Sequence, residues 1–266
     1  MRLSPSRLVS FVLAVAVSIV FAGCDSTGPS TSGGKVEVGF STASSSTQST
    51  FSLAKADSDS LVLSGSNGTL QITDIRLIVD KVKLKQDTDS TGADGAEIEI
   101  EREVEVERPS FLDLPLRSSE VSPVAAGDVP EGTYNEFEFE VDDLDDDEGN
   151  AQQLLSDIRN EEGFPSWPED ASMVVVGSFT STDGTSMFFT TYFEAEIEVE
   201  RPLTPPLEVS GEGFSRELVV RLDPARWFER TDGTVEDLSQ FDFDETETVR
   251  KFEAEFEEGV AEIEFE

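Results

Sequence analysis

Hydrophobic and polar residues alternate along most of this chain, which predicts strands rather than helices. Leu70, Ile72, Ile75, Leu77, Val79, Val82 and Leu84 alternate with polar neighbours, and the phase slips near Thr73 and Asp80, where bulges or a turn are expected. Over 97–107, Ile98, Ile100, Val104 and Val106 share one face and glutamates fill the other. That is the pattern of a half-buried strand with a carboxylate comb facing water. Similar combs occur over 136–141, with Phe137, Phe139 and Val141 inward, and over 189–200, with Phe189, Phe193, Ala195, Ile197 and Val199 inward. A continuous apolar run over 173–180 leads into Thr182-Asp183-Gly184, a hairpin signal. Shorter strands are predicted over 35–40, 214–222 and 261–266.

Helical spacing is rare. Leu154, Leu155 and Ile158 predict a helix over 151–160, and Asp223-Pro224 opens a turn that carries Trp227 and Phe228. Val249, Phe252 and Phe256 form a stripe over 248–258 with Gly259 at the stop position, which predicts a third helix. Many short strands and few helices give an all-β fold, an antiparallel β-sandwich of two packed sheets with a few short helices. Its expected span is 35–266, interrupted by a Ser/Thr-rich loop over 41–60.

The N-terminus reads differently. Arg2 and Arg7 precede an apolar run over 8–21, then Ala22, Gly23 and Cys24, the only cysteine of the chain. This is the order of a secretory signal peptide. The run is shorter than the ~20 apolar residues that span a bilayer. Val20-Phe21-Ala22-Gly23-Cys24 resembles the lipobox of bacterial lipoproteins, with Phe21 where that family usually has leucine. The resemblance implies cleavage after residue 23 and lipidation of Cys24. Two acyl chains at ~0.8 kcal/mol per buried CH₂ suffice for stable anchoring where one does not. Residues 24–34, rich in Ser, Gly and Thr, then form a flexible tether.

Charge changes the picture further. With 57 acidic against 19 basic residues the net charge is −38, and loss of the signal segment, which carries two arginines and no acid, makes it more negative still. Such a charge repels itself at ordinary ionic strength and is screened at molar salt, where the Debye length is ~3 Å. The surface chemistry resembles that of proteins from extreme halophiles. Thirty-seven per cent hydrophobic residues and 19 phenylalanines argue for a folded chain rather than an acidic disordered one. No Lys/Arg cluster is present to hold phosphate backbones, so nucleic acid is not expected as a partner.

Missing residues limit the chemistry. Without histidine there is no Ser-His-Asp or Cys-His catalysis and no imidazole ligand, and with Cys24 lipidated no thiolate zinc site. No catalytic residue, cofactor site or metal site is expected. Two acidic loops are candidates for calcium. Asp87, Asp89, Thr91 and Gly92 resemble the start of an EF-hand loop, but its twelfth position is Ile98 rather than glutamate. The run from Asp142 to Gly149 places its glycine one residue late. Solvated loops are the preferred reading of both. Paired carboxylates for glycoside hydrolysis occur by chance in so acidic a chain. Trp167, between two prolines, and Trp227 read as packing residues before sugar platforms.

Residues 103–109 (EVEVERP) nearly repeat as 196–202 (EIEVERP), while the segments that follow differ. Convergence of acidic strands explains this better than duplication.

Three segments carry a wider likeness: Ile72-Thr73-Asp74-Ile75-Arg76-Leu77-Ile78-Val79, Phe111-Leu112-Asp113-Leu114, and Val129-Pro130-Glu131-Gly132-Thr133-Tyr134 with Phe137 and Phe139. They resemble a family of bacterial lipoproteins with an uncharacterised transthyretin-like β-sandwich domain, over roughly 61–222. Glu131 stands where that family usually has alanine. The resemblance implies a structural role for Gly132, which permits the turn, and for Tyr134, whose hydroxyl should reach a backbone partner. It lends no activity; cell-surface adhesins share the general architecture. The function expected is that of a lipid-anchored envelope protein of a halophilic bacterium, periplasmic or surface-exposed, serving structure, adhesion or binding. Its protein or carbohydrate partner is not named by the sequence. The alternatives are a carboxylate-dependent carbohydrate hydrolase and a weak calcium module.

Overall fold

The computed structural model describes residues 33–43, 60–91, 97–144, 150–252 and 256–266. The signal peptide over 1–23, Cys24 and most of the expected tether lie outside these residues, as do 44–59 of the Ser/Thr-rich loop.

Strand β3 (Gly68–Thr91) organises the fold, and its apolar parity explains how. Leu70 and Ile72, then Ile75, Leu77 and Val79, then Val82 and Leu84 are all buried in one core, although the odd spacing at 72–75 and 79–82 breaks period two. Register shifts at Thr73 and Asp80 absorb the extra residue each time. Each bulge therefore keeps the apolar set facing one way. The phase slips read from the sequence sit at these two residues.

One edge of β3 carries β2 (Leu61–Gly65) and then β4 (Glu97–Asp113); the other carries β7 (Met173–Ser181) and then β6 (Gly132–Val141). β8 (Ser186–Glu194) extends the sheet beyond β7, and β11 (Arg250–Lys251) beyond that. β9 (Ile197–Val209) closes the far side next to β6. Pro202, Pro205 and Pro206 on β9 suit an edge strand, where a missing N–H breaks no ladder. This is an eight-stranded sheet.

The second sheet has the order β12 (Val260–Phe265), β10 (Ser215–Leu222), β1 (Gly33–Thr42) and β5 (Ser122–Pro130). Pairing is antiparallel except between β1 and β10 and between β8 and β11. The two sheets pack face to face through Val38 and Phe40 of β1 and Val220 of β10 on one side, Phe137 and Phe139 of β6 on the other. Phe40 meets Phe139 edge to face at 5.2 Å. The result is the all-β, sandwich-like architecture expected.

A smaller core lies on the outer face of the eight-stranded sheet. Ile78, Val174 and Tyr192 are covered there by Ile158 of α1 (Ala151–Asn160) and by Trp167. Trp167 is 1% exposed, packs edge-on against Phe111, Phe164 and Tyr192, and donates its indole N–H to the Ala171 carbonyl at 2.9 Å. It is a packing residue.

Several elements differ from expectation. β1 starts at Gly33, inside the expected tether, and runs through Ser41 and Thr42 of the expected loop. The comb over 189–200 breaks at Ala195, whose N–H and C=O are both bonded by the Ser172 hydroxyl at 2.7 and 2.9 Å. The stripe over 248–258 does not form one helix. Residues 250–251 pair with β8, and a 3-10 turn spans Phe256–Gly259. Edge-on packing of Phe252 against Phe193, centroids 5.5 Å apart, holds this segment to the sheet and overrides its helical spacing. β5 had no alternation to announce it.

Candidate functional site

Two places gather chemistry. The first is the part of the outer face that the small core leaves uncovered. Beyond the Asp80 bulge, Lys81, Lys83 and Lys85 of β3 point outward, and they are half of the lysines in the chain. Register sets Glu105, Lys83, Glu138 and Glu200 in one row across β4, β3, β6 and β9, and Glu107, Lys81, Glu140 and Glu198 in the next. The two near-repeats, on β4 and β9, thus flank β3 and β6 from either side. Their likeness follows from a shared task, an apolar inner face and a carboxylate outer one.

Distances within the rows are short. Lys83 Nζ lies 2.7 Å from Glu138 and 3.8 Å from Glu105; Lys85 Nζ lies 2.7 Å from Glu138 and 3.0 Å from Glu136, and also bonds Glu200. Lys81 reaches Glu140 at 2.9 Å and Asp80 at 3.2 Å. Burial pushes the Glu138 carboxyl up, but hydrogen bonds from Lys83 and Lys85 outweigh it and hold the group below its ordinary value. Glu136 is held above its own by burial and by a hydrogen bond shared with Glu200. All three lysines are raised, chiefly by their carboxylate hydrogen bonds. The combs were expected to face water, yet Glu138 is only 2% exposed. The alternating lysines over 81–85, opposite a glutamate comb, were the missed signal. Chemically the array is a brace across four strands, with each lysine engaged by carboxylates.

The second place is a cleft of about 310 Å³ beside α2 (Ala225–Phe228). Trp227, Phe228 and Phe252 form its apolar wall. Trp227 stacks on Phe256 at 4.4 Å and donates its indole N–H to the Phe256 carbonyl at 3.3 Å; Gly259 fits against the ring because it has no Cβ. Trp227 is 5% exposed. The rim is charged. Glu236 accepts from Arg230 Nε at 2.7 Å and from Arg250 Nη1 at 2.7 Å, while the Arg250 guanidinium lies 4.0 Å over the Phe241 ring. Arg226, Lys251, Glu229 and Glu258 complete the rim. Burial, then Asp223, raises the Glu229 carboxyl above its ordinary value. A neighbouring cleft of about 510 Å³, lined by Glu196, Glu198, Arg201 and Glu257, shares Phe252 and Glu258 with it.

Cys24 and the second half of each acidic loop, residues 92–95 and 145–149, lie outside the described residues. Among the described residues, no group of three or more acidic or thiol side chains is arranged to hold a metal ion. No helix among them is long and apolar enough to cross a membrane. Tyr134 donates its hydroxyl to the Pro130 carbonyl at 3.0 Å, the backbone partner expected. Gly132 lacks the positive φ of a glycine-dependent turn; a Cβ there would instead meet the Gln86 side chain at 2.9 Å. The cleft is not legible in the sequence, because residues 226–236 and 250–258 converge through tertiary contacts, Trp227 on Phe256 and Arg250 on Glu236, that no local pattern announces. The chain matches no protein-family model, no curated protein and no solved structure.

Proposed function

We propose that this chain is a lipid-anchored envelope protein of a halophilic bacterium whose β-sandwich serves a structural, adhesion or binding role without catalysis. One observation carries the reading: Cys24 follows a charged start, an apolar run over 8–21 and the small pair Ala22-Gly23. Lipid then tethers the folded part, which stands in the periplasm or at the cell surface. The likeness to transthyretin-like lipoprotein domains belongs to the same reading, supported by the Tyr134 hydroxyl bond. Halophily is supported by an acid excess that would repel itself without salt.

The hydrolase alternative is weaker. It calls for an exposed tryptophan beside converging acids, whereas Trp227 is stacked on Phe256 and 5% exposed. Expression of wild type and Cys24→Ser with radiolabelled palmitate tests the anchor. Wild type should take up label and sediment with membranes, and the variant should do neither. Equal sedimentation of unlabelled wild type and variant would refute lipidation.

A further inference from the structure

We propose that the arginine-rimmed cleft beside α2 is a saccharide-binding site that takes a hexuronate, a sugar unit bearing one carboxylate. The inference deepens the binding role proposed above and does not depend on the lipid anchor.

In a chain of net charge −38, four cations, Arg226, Arg230, Arg250 and Lys251, converge on one concavity from two distant segments. Arg226, Arg230 and Lys251 have side chains 49, 56 and 77% exposed, so they meet solvent at the rim rather than serving only as internal partners. Arg250 is different. Clamped between Glu236 and the Phe241 ring, it is preorganised, and a planar guanidinium fork suits a carboxylate.

The N–H groups of Trp227, Glu229, Arg230, Glu236 and Phe252 are all bonded within the chain, to the carbonyls of Pro224, Ala225, Thr234, Phe228 and Glu194. A peptide adding itself as a strand would find none of these five donors free, which leaves the side chains of the rim as the main recognition groups.

Those side chains mix donors with acceptors. Glu229 and Glu258 can accept from hydroxyls, the arginines can donate to hydroxyls or a carboxylate, and the half-buried Phe252 offers a ring to the C–H face of a sugar. A ligand rich in hydroxyls with a single negative charge satisfies all three. The volume sits at the small end of ligand sites, ~300 to 1,000 Å³, which suits one or two sugar units. A nucleic acid would bring a continuous polyanion against a polyanionic protein.

Isothermal titration of the full chain in molar NaCl, with galacturonate as probe, tests the assignment. Galactose and N-acetylaspartate amide are the neutral-sugar and acidic-peptide comparators. Galacturonate should bind, with galactose and N-acetylaspartate amide each at least tenfold weaker, and Arg230→Ala should weaken it by about tenfold or more, as loss of a charge-assisted hydrogen bond does. Lys251→Ala, at a more exposed rim position, serves as a second variant should Arg230→Ala lose its native circular dichroism. Asp183→Ala, at the remote β7–β8 turn, should change nothing. Absence of binding by folded wild type, equal binding of galactose, or affinity untouched by both rim variants would overturn the proposal. Equal or tighter binding of N-acetylaspartate amide would assign the cleft to acidic peptides instead. Any of these results in a protein that still takes up palmitate at Cys24 removes the saccharide site and leaves the anchor standing.

Discussion

A carboxylate shielded from water as Glu138 is would ordinarily hold its proton, and Lys83 and Lys85 prevent this. Because its folded value is depressed, its contribution is present above the ordinary glutamate value of 4.5 and is lost as pH falls through the folded value. Glu138→Gln leaves two lysines without their shared partner and should cost about 2 to 4 kcal/mol, read from the urea midpoint at neutral pH. Asp142 has the opposite sign. Burial, aided by Asp143 and Glu196, raises it to about 6, so the folded state favours the proton and stability falls as pH climbs from the ordinary value of 3.8 toward 6. Asp142→Asn should therefore stabilise the protein at neutral pH by about 1 kcal/mol after allowance for solvent screening, and should flatten that stretch of the pH profile. Tyr134→Phe removes one neutral hydrogen bond and should cost about 1 kcal/mol. Residues with one strong local role, such as Tyr134 and Trp167, were legible from sequence. Glu138 was not, because period two shows which way it points but not what lies beside it.

At the scale of elements, β3 joins the two halves of its sheet, and its bulges decide which half is apolar outside and which is ionic. Deleting Thr73 would remove the bulge and leave Leu70, Ile72, Ile75, Leu77 and Val79 in regular alternation, so folded protein should be recovered, whereas deleting Arg76, inside the regular stretch, would throw Leu70, Ile72 and Ile75 out of phase with Leu77 and Val79 and no soluble folded protein should be recovered. Trp167→Ala removes the centre of the small core and should cost about 3 to 5 kcal/mol, with amide exchange rising first in α1. The bulges could be read from the odd spacing of apolar residues, and α1 from Leu154, Leu155 and Ile158, since each is a local pattern. The expected helix over 248–258 failed for a nonlocal reason: Phe252 gains more against Phe193 than its segment gains from helical hydrogen bonds. β5, with Pro123, Ala125, Ala126 and Gly127, has no apolar rhythm and is held by pairing to β1.

For the whole molecule, charge dominates. Lys81, Lys83 and Lys85 pair with six carboxylates, those of Asp80, Glu105, Glu136, Glu138, Glu140 and Glu200, so even the braced face carries excess negative charge. The thermal midpoint should climb between millimolar and molar NaCl as that excess is screened, followed by circular dichroism; a midpoint indifferent to salt would refute the halophile reading. Composition announced the acid excess at once. The cleft depends on a tertiary meeting of segments some twenty residues apart, which composition and period cannot register.

The parallel pairing of β1 with β10 has a mechanical side. A protein held by its N-terminus receives any pull at Gly33, where β1 lies inside its sheet with β10 on one flank and β5 on the other. The hydrogen bonds of both flanks run across the line of that pull, so many must shear together instead of opening one by one. Force spectroscopy from the N-terminus should accordingly show a high, single rupture, and pulling from the exposed edge strand β12 a lower one. A domain built this way can stay folded while its N-terminus is pulled.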